Sequence, residues 1–293
     1  MNYKPTNHLL ELNLAVLFIS TSGTLGRYID LPAPTVIALR ALLAGILLFA
    51  FCKWKGISLH IQKKHRGKVL LGGFLLGLHW VTYFYSLQLS NVAIGMLSLF
   101  TYPAITALLE PLFMRTRMSW FHIFLSMAVL MGIYLLAPDF GTDQNTLLAI
   151  AIGVFSAFCY ALRNILLKKV EGYHGSSIMT YQLLIITVLL LPSYGMTTST
   201  ALWDYLPATA VLALLTTSIG HTLFVYSLKG FSAATASIIS CMGPVYGIIL
   251  GIIFLGEVPA WTTVAGGTII LIAAIAESLK VYHLPKYKVV GKK

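Results

Sequence analysis

Long apolar runs alternate with short polar segments along the whole chain. Each run holds about 20 residues, the length that a helix needs to cross a bilayer. The pattern predicts ten membrane-spanning helices, at about residues 9–27, 34–52, 69–87, 92–113, 119–137, 146–167, 177–195, 206–227, 233–255 and 262–281. These spans use nearly all of the 293 residues, so the sequence predicts an all-α polytopic membrane protein with no room for a soluble catalytic domain.

One stretch of the sequence occurs twice. Residues 85–120 align without a gap with residues 226–261, and the offset is 141 residues throughout. The matched pairs include Tyr85 with Tyr226, Pro103 with Pro244, and Trp120 with Trp261. Leucine and alanine matches are common by chance in an apolar chain, whereas Tyr, Pro and Trp matches are not. We therefore predict two diverged copies of one unit of about 140 residues.

Each predicted copy contains five spans, an odd number, so the second copy would enter the membrane with reversed orientation. This is an inverted repeat, and the functional site is expected where the two copies meet. The predicted boundaries are a first five-helix repeat at 1–138, an outer linker at 139–146, a second five-helix repeat at 147–283 and a basic cytoplasmic tail at 284–293.

The charge distribution predicts the orientation. The formal net charge is +11, although only 10% of the residues are charged and the mean hydropathy is +0.84. If both termini are cytoplasmic, 17 of the 20 lysines and arginines lie in inner segments and only Arg27 lies in an outer one. This asymmetry follows the positive-inside rule, so the basic charge sets orientation and does not indicate a nucleic-acid partner.

Cysteine usage indicates neither a metal nor a redox site. Cys52, Cys159 and Cys241 lie in separate apolar spans without C-x-x-C spacing, and we expect them to be small buried hydrophobic residues. The sequence thus predicts no metal and no cofactor. It also predicts no cleaved signal peptide, because nine further apolar runs follow the first one and a persuasive cleavage site is lacking.

The third predicted span has the densest set of polar and aromatic residues in the first half. His79 and Tyr83 are four residues apart and share a helix face, with Trp80 beside them. They are either core residues with one satisfied hydrogen bond, or the lining of a polar cavity where a neutral imidazole binds substrate or relays a proton. Other helix faces with polar residues at this spacing are Ser156, Tyr160 and Asn164, and Thr217 and His221.

Two arginines fall inside predicted spans, where a charge is expensive. Arg40 either extends to the outer interface, towards Asp30, or provides a cation at the outer end of a substrate cavity, suited to a carboxylate or phosphate. Arg163 is one turn from Lys168, and we expect its side chain to reach the cytoplasmic interface.

Matching prolines interrupt the fourth and ninth spans. Pro103 and Pro244 each remove a helix hydrogen bond, and the freed carbonyls either line a cavity or accompany simple bending. Glu110 lies one turn from the cytoplasmic end of the fourth span. It either pairs with Arg115 or Arg117, or serves as a proton-coupling carboxylate.

Small residues mark the expected helix contacts. Gly243, Gly247 and Gly251 repeat every four residues in the ninth span, which is typical of a close-packing face. Gly266 and Gly267 in the tenth span are candidate partners for it.

The sequence resembles the drug/metabolite transporter superfamily, specifically its EamA-type members. The resemblance covers nearly the whole chain and depends on the two five-span halves, Arg40, the central prolines Pro103 and Pro244, and Leu255-Gly256-Glu257 closing the ninth span. The chain departs from the pattern in its first half, where Thr116 aligns with Glu257 and Glu110 lies further inside the helix.

The resemblance implies a secondary transporter that moves small metabolites by alternating access, without enzymatic activity, in a bacterial inner membrane. We expect an exporter or permease of amino acids or similar zwitterionic or partly apolar solutes, because the expected lining is rich in aromatic residues and poor in fixed charges. Carriage of another organic anion, such as a sugar phosphate or nucleotide sugar, and a lipid-moving or scaffold role stay open, as does a channel. No P-loop supports ATP-driven transport by this chain alone.

The hypothesis assigns roles to named residues. Arg40 would be an outer electrostatic contact, Glu110 and His79 would serve proton coupling, and the protein would be a monomer or a homodimer in the lipid bilayer. The predicted substrate-binding residues are His79, Trp80, Tyr83, Tyr102, Tyr160, Asn164, His221 and Arg40.

Overall fold

A computed structural model of the chain describes residues 5–22, 25, 28–90, 92–136, 144–246, 249 and 260–283. Within these ranges all regular structure is helical, which confirms the predicted all-α class. Several features named above lie outside the described residues, namely Arg27, Gly247, Gly251, residues 255–257, most of the predicted linker (139–143) and the tail 284–293.

The helices follow one another with short connections. They are α1 (Pro5–Ser20), α2 (Ala33–Trp54), α3 (Lys63–Leu89), α4 (Val92–Leu99), α5 (Tyr102–Met114), α6 (Trp120–Leu136), α7 (Gln144–Lys168), α8 (Gly175–Leu190), α9 (Ser199–Leu212), α10 (Thr222–Ser227), α11 (Ala233–Ser240) and α12 (Trp261–His283). A 3₁₀ turn, Leu191–Met196, extends α8, and a π-helical segment, Ala213–His221, joins α9 to α10 without a break.

Five continuous helical segments of the described chain are long and apolar enough to cross a membrane. They are Ala33–Trp54, Lys63–Leu89, Gln144–Lys168, Gly175–Met196 and Ser199–Ser227. Large apolar side chains such as Phe124 and Ile46 are exposed, as expected for helices whose outer surface contacts lipid. The protein is thus an integral multi-pass membrane protein, while the count of ten spans and the cytoplasmic placement of the termini stay predictions.

Two helices are interrupted at equivalent positions. The chain turns at Phe100 and Thr101 between α4 and α5, and at Cys241 before a helical segment at 242–246. Phe100 and Cys241 are related by the 141-residue offset. Pro103 and Pro244 lie in the first turn after each interruption, where a proline leaves no intrahelical bond unmade.

Glycines allow three close helix contacts. At Gly153 of α7 a Cβ would lie 2.4 Å from the Cβ of Ser98, and at Gly132 of α6 it would lie 2.8 Å from the carbonyl oxygen of Gly266 in α12. A Cβ at Gly73 of α3 would similarly lie too close to side chains of α8. At Gly243, in contrast, a Cβ would have only ordinary contacts, the nearest at 3.6 Å. The expectation that Gly243 meets other backbones closely was therefore wrong, and Gly266 packs on Gly132 instead.

Helix α3 lies at the centre of the packing and runs along both α7 and α8. Helix α2 packs on α8, and α6 packs on α12. All three cysteines are free and buried, which confirms the prediction for them. Because α3 belongs to the first repeat and α7 and α8 to the second, the side chains between these helices lie where the two repeats meet.

Candidate functional site

A stack of aromatic rings forms where α3 meets α7. The ring of His79 lies between those of Tyr83 and Tyr160, with centroid distances of 6.2 and 4.4 Å. The Ser156 hydroxyl donates to the His79 carbonyl oxygen at 2.8 Å and also lies 2.8 Å from Nδ1 of the ring. A serine hydroxyl has one proton, so Nδ1–H of His79 must be the donor in the second bond. In the neutral ring Nε2 is then a hydrogen-bond acceptor.

Two further rings extend this stack. The ring of Tyr102 in α5 lies 5.1 Å from that of Tyr160, and its hydroxyl donates to the Ser237 carbonyl oxygen of α11 at 2.9 Å. The ring of Phe224 in α10 lies 5.9 Å from Tyr160 on another side. Phe224 was not predicted, because nothing in its sequence position distinguishes it from the many phenylalanines that contact lipid.

Arg40 is buried beside this stack, and its side chain does not extend to the outer interface. Its guanidinium carbon lies 4.2 Å from the centre of the Trp80 ring, and its Nε donates to the Thr217 hydroxyl at 2.5 Å. The Trp80 ring in turn lies 5.1 Å from that of His221. The interpretation that Arg40 extends towards Asp30 was therefore wrong, since only 2% of the residue is exposed.

Arg163 is also buried, contrary to the expectation that it reaches the cytoplasmic interface. Its Nη1 donates to Oδ1 of Asn164 at 3.0 Å, and its Nη2 donates to Oε1 of Gln182 at 2.6 Å. The Met179 sulfur is a third contact, at 3.3 Å. All four side chains are fully buried between α7 and α8. The available sequence signal was that Arg163 adjoins Asn164 and follows Tyr160 by three residues, which places it near the predicted polar face.

These side chains form one buried group, here called the central cluster, which comprises Arg40, His79, Trp80, Tyr83, Tyr102, Tyr160, Arg163, Asn164, Gln182, Thr217, His221 and Phe224. All eight predicted substrate-binding residues belong to it. Tyr83 is partly exposed, whereas the remaining seven are buried. The structure thus brings the predicted residues together, and their role in binding stays a prediction.

The central cluster has more hydrogen-bond donors than acceptors. Within the described ranges, ion pairs form only between His8 and Glu11 and between His122 and Glu277, so neither buried arginine is neutralised by a carboxylate there. The buried atoms without a hydrogen-bond partner include Arg40 Nη2, Arg163 Nε, Asn164 Nδ2, Gln182 Nε2 and His221 Nδ1. Buried polar groups are normally paired, so this excess indicates a site suited to an acceptor-rich, anionic ligand.

Glu110 has a different partner from the one predicted. Its carboxylate accepts hydrogen bonds from the backbone N–H groups of Ala233 and Ala234, at 2.7 and 2.9 Å. It therefore caps the N-terminus of α11, where the helix dipole favours a negative charge, and pairing with Arg115 or Arg117 was the wrong interpretation. A role of Glu110 in proton coupling stays a prediction.

A shallow surface pocket of about 200 Å³ lies elsewhere, at the ends of the helices. It is formed by the connections before α3 and α8, with Ser58, Gln62 and Tyr173 among its lining residues. Gln62 donates its backbone N–H to the Tyr173 hydroxyl at 3.1 Å, so these polar groups serve to join the two connections. The pocket shares no residue with the central cluster.

Comparison with known proteins gives the family. The model of the EamA-like transporter family matches twice, at residues 9–137 and 147–278. The threonine/homoserine exporter RhtA of Salmonella typhimurium is 26% identical and aligns with 97% of this chain and 96% of its own. The pseudopaline exporter CntI of Pseudomonas aeruginosa is 24% identical, and the alignment covers 85% of this chain and 87% of that protein.

A solved crystal structure has the same fold, with a TM-score of 0.81 over 94% of this chain and 98% of that one, at 17% sequence identity. The two family matches together span most of the chain and correspond to the two halves of the internal repeat. The resemblance inferred from the sequence is thereby confirmed. This chain belongs to the EamA-like transporter family, within the drug/metabolite transporter superfamily.

Proposed function

We propose that the protein is a secondary exporter of amino acids or similar small solutes that carry a carboxylate, working by alternating access without ATP. The observation that carries the proposal is the central cluster, where the Arg40 guanidinium lies over the Trp80 ring at the junction of the two repeats and one of its nitrogens, Nη2, has no hydrogen-bond partner. One relative is named as a threonine/homoserine exporter and another as a pseudopaline exporter, which supports export as the direction. Their bacterial origin supports placement in a bacterial inner membrane.

The chemistry of the cluster suits both charges of an amino acid. Nη2 of Arg40 and Nδ1 of His221, both without partners, can donate to a carboxylate. Nε2 of the neutral His79 ring is an acceptor for an ammonium group, and the faces of Tyr83 and Tyr160 attract the same cation. The remaining predicted binding residues, Trp80, Tyr102 and Asn164, would shape the space around the solute.

Transport requires the helices to separate, because the cluster is buried. The interruptions before Pro103 and Pro244 provide two hinge positions, one in each repeat, about which the half-helices would tilt. Glu110 and His79 are the proposed proton-coupling groups, since both link the repeats through hydrogen bonds that depend on protonation.

Counterflow of radiolabelled threonine into proteoliposomes, with and without a pH gradient, tests the proposal. We expect saturable counterflow, and we expect Tyr83→Ala and His79→Ala each to lower kcat/KM by at least about tenfold, the loss of roughly 1.4 kcal/mol of binding. Phe124→Ala is the matched control, because this aromatic side chain is exposed on α6.

Unchanged kinetics in Tyr83→Ala and His79→Ala, at normal abundance in the membrane, would remove these residues from the site. Absence of saturable counterflow for every amino acid and organic acid in a panel would instead contradict the carrier function. Fluxes far above carrier rates would indicate a channel.

A further inference from the structure

We propose that the central cluster binds two carboxylate groups, one at Arg40 and one at Arg163, and that the preferred substrates are therefore dicarboxylates, including acidic amino acids. This inference depends on the proposed transport function and specifies the substrate class. It differs from the expectation from the sequence, where Arg163 was placed at the membrane surface and the lining was counted as poor in charge.

The partners of Arg163 do not neutralise its charge. Asn164, Gln182 and Met179 supply two amide oxygens and a thioether sulfur, all of them neutral acceptors. A buried guanidinium that is hydrogen-bonded but not neutralised remains costly, and an anion that approaches it recovers part of that cost. The same holds for Arg40, whose neighbours Thr217 and Trp80 are neutral.

The amide orientations leave donors for such an anion. Arginine can only donate, so the amide oxygens of Asn164 and Gln182 must face Arg163 and both NH₂ groups must point away from it. Those NH₂ nitrogens and Nε of Arg163 are among the buried atoms without a hydrogen-bond partner. These three donors lie on two helices, all on fully buried residues, and an acceptor-only group such as a carboxylate is the kind of partner that they lack.

The backbone of α3 leaves space for the Gln182 amide beside Arg163. A Cβ at Gly72 of α3 would lie 2.6 Å from Nε2 of Gln182. Any larger residue at position 72 would therefore displace the amide that completes the Arg163 site. Glycine here allows the Gln182 side chain to extend between α3 and α7.

The positions of the two arginines along their helices give their approximate separation. Arg40 lies at the level of Trp80, next to His79, and His79 is bonded to Ser156. Arg163 follows Ser156 by seven residues, which corresponds to about 10 Å along α7 at 1.5 Å per residue. Both Arg40 and Arg163 lie within electrostatic range of the His79 ring. In the proposed complex a small dicarboxylate spans this distance once the helices have separated, since both arginines are buried.

The test compares L-aspartate, succinate and L-threonine as substrates of the full chain in proteoliposomes. Wild-type protein should show KM values for aspartate and succinate at least about tenfold below that for threonine, as expected for one additional charge-assisted contact. Arg163→Gln should raise the two dicarboxylate KM values by about tenfold and change the threonine KM by less than about twofold. Arg117→Gln, an exposed arginine, is the control for loss of a cation.

Asn164→Asp provides a second variant in case Arg163→Gln does not fold. It places a carboxylate beside Arg163, so the second site should be occupied internally and the preference for dicarboxylates over threonine should disappear. Retained preference in a folded Asn164→Asp protein would overturn the inference.

The outcomes separate this inference from the proposed function. Saturable transport of threonine without preference for dicarboxylates, or equal KM increases for all three solutes in Arg163→Gln, would contradict the two-carboxylate site and leave the exporter proposal standing. Failure of all three solutes in wild-type counterflow would contradict both. Transport of aspartate but not succinate would show that the ammonium group is also required, and would still support the second carboxylate contact.

Discussion

The most informative residue is His79, because a single serine determines its tautomer. The Ser156 hydroxyl gives its proton to the His79 carbonyl oxygen and must accept from Nδ1–H. This arrangement presents the ring as an acceptor at Nε2 without requiring a charge in the membrane interior.

Replacing Ser156 by alanine should therefore affect binding. Nδ1–H of His79 would lose its acceptor, at a cost of about 1–3 kcal/mol, and the other tautomer would become accessible. We expect a KM increase of about three- to tenfold in counterflow, with a fall in melting temperature. Ser278→Ala is the control, since that hydroxyl bonds only within its own helix. An unaltered KM would contradict the role of the tautomer.

Adjacent glycines in α3 provide a matched pair of variants. At Gly72 an added Cβ meets the end of the flexible Gln182 side chain, which can move at low cost. At Gly73 it meets the Gln182 Cα at 3.1 Å and Ile185 Cδ1 at 2.9 Å, so the helices themselves must separate. Gly73→Ala should lower the free energy of unfolding by about 1–3 kcal/mol, measured as a lower melting temperature in detergent. Gly72→Ala should lower it less and mainly weaken dicarboxylate transport; the reverse order would contradict this packing.

At the scale of elements, two carboxylates hold the N-terminal part of α11. Glu110 of α5 accepts from the N–H groups of Ala233 and Ala234. Oε1 of Glu277 in α12 accepts from the Thr235 hydroxyl at 2.6 Å and lies 3.1 Å from Nε2 of His122 in α6. The half-helix before the Cys241 turn is thus attached to α5 and α12 at its N-terminal end, and the proposed hinge lies at its other end.

Glu110→Gln should weaken this attachment. The amide retains one acceptor oxygen but loses the charge that the helix N-terminus favours, so we expect a loss of about 1–2 kcal/mol, measured as a lower melting temperature in detergent. Glu11→Gln, a carboxylate near the surface bonded to His8, is the matched control. An equal effect in both variants would argue against the capping role.

The sequence allowed the helix interruptions and most of the central cluster to be predicted, because proline position and four-residue spacing depend only on local geometry. The location of Arg163 could not be predicted in this way. Arg163 is five residues from the end of α7, so its side chain was long enough either to reach the interface or to stay buried. The packing of α8 against it determines that it is buried. Glu110 was likewise misassigned, since its partner lies 123 residues away and is a backbone group without a sequence signature.

For the whole molecule, the predicted inverted arrangement of the two repeats has a testable consequence for which side of the membrane each connection faces. Single cysteines can be introduced at Ser58 and Thr198, both exposed, after replacement of the three buried native cysteines. A membrane-impermeant maleimide added outside the cell should label position 198 and should label position 58 only after permeabilisation. Thr116 and Asp30 provide a second inner and outer pair. Labelling of positions 58 and 198 from the same side would contradict the predicted topology.

The π-helical segment Ala213–His221 has a consequence for how this protein tolerates change. A π-turn holds about one residue more than an α-turn, so the segment accommodates an extra residue without turning the helices on either side of it. Deleting one residue there would leave the span apolar and long enough to cross the membrane, so a hydropathy profile would not detect the deletion. The segment would then close into an α-turn with Phe224 still beside Tyr160, so a difference of one residue in length at this point leaves the central cluster intact. The same deletion within an α-helical part of the span would instead rotate every residue beyond it by about 100°.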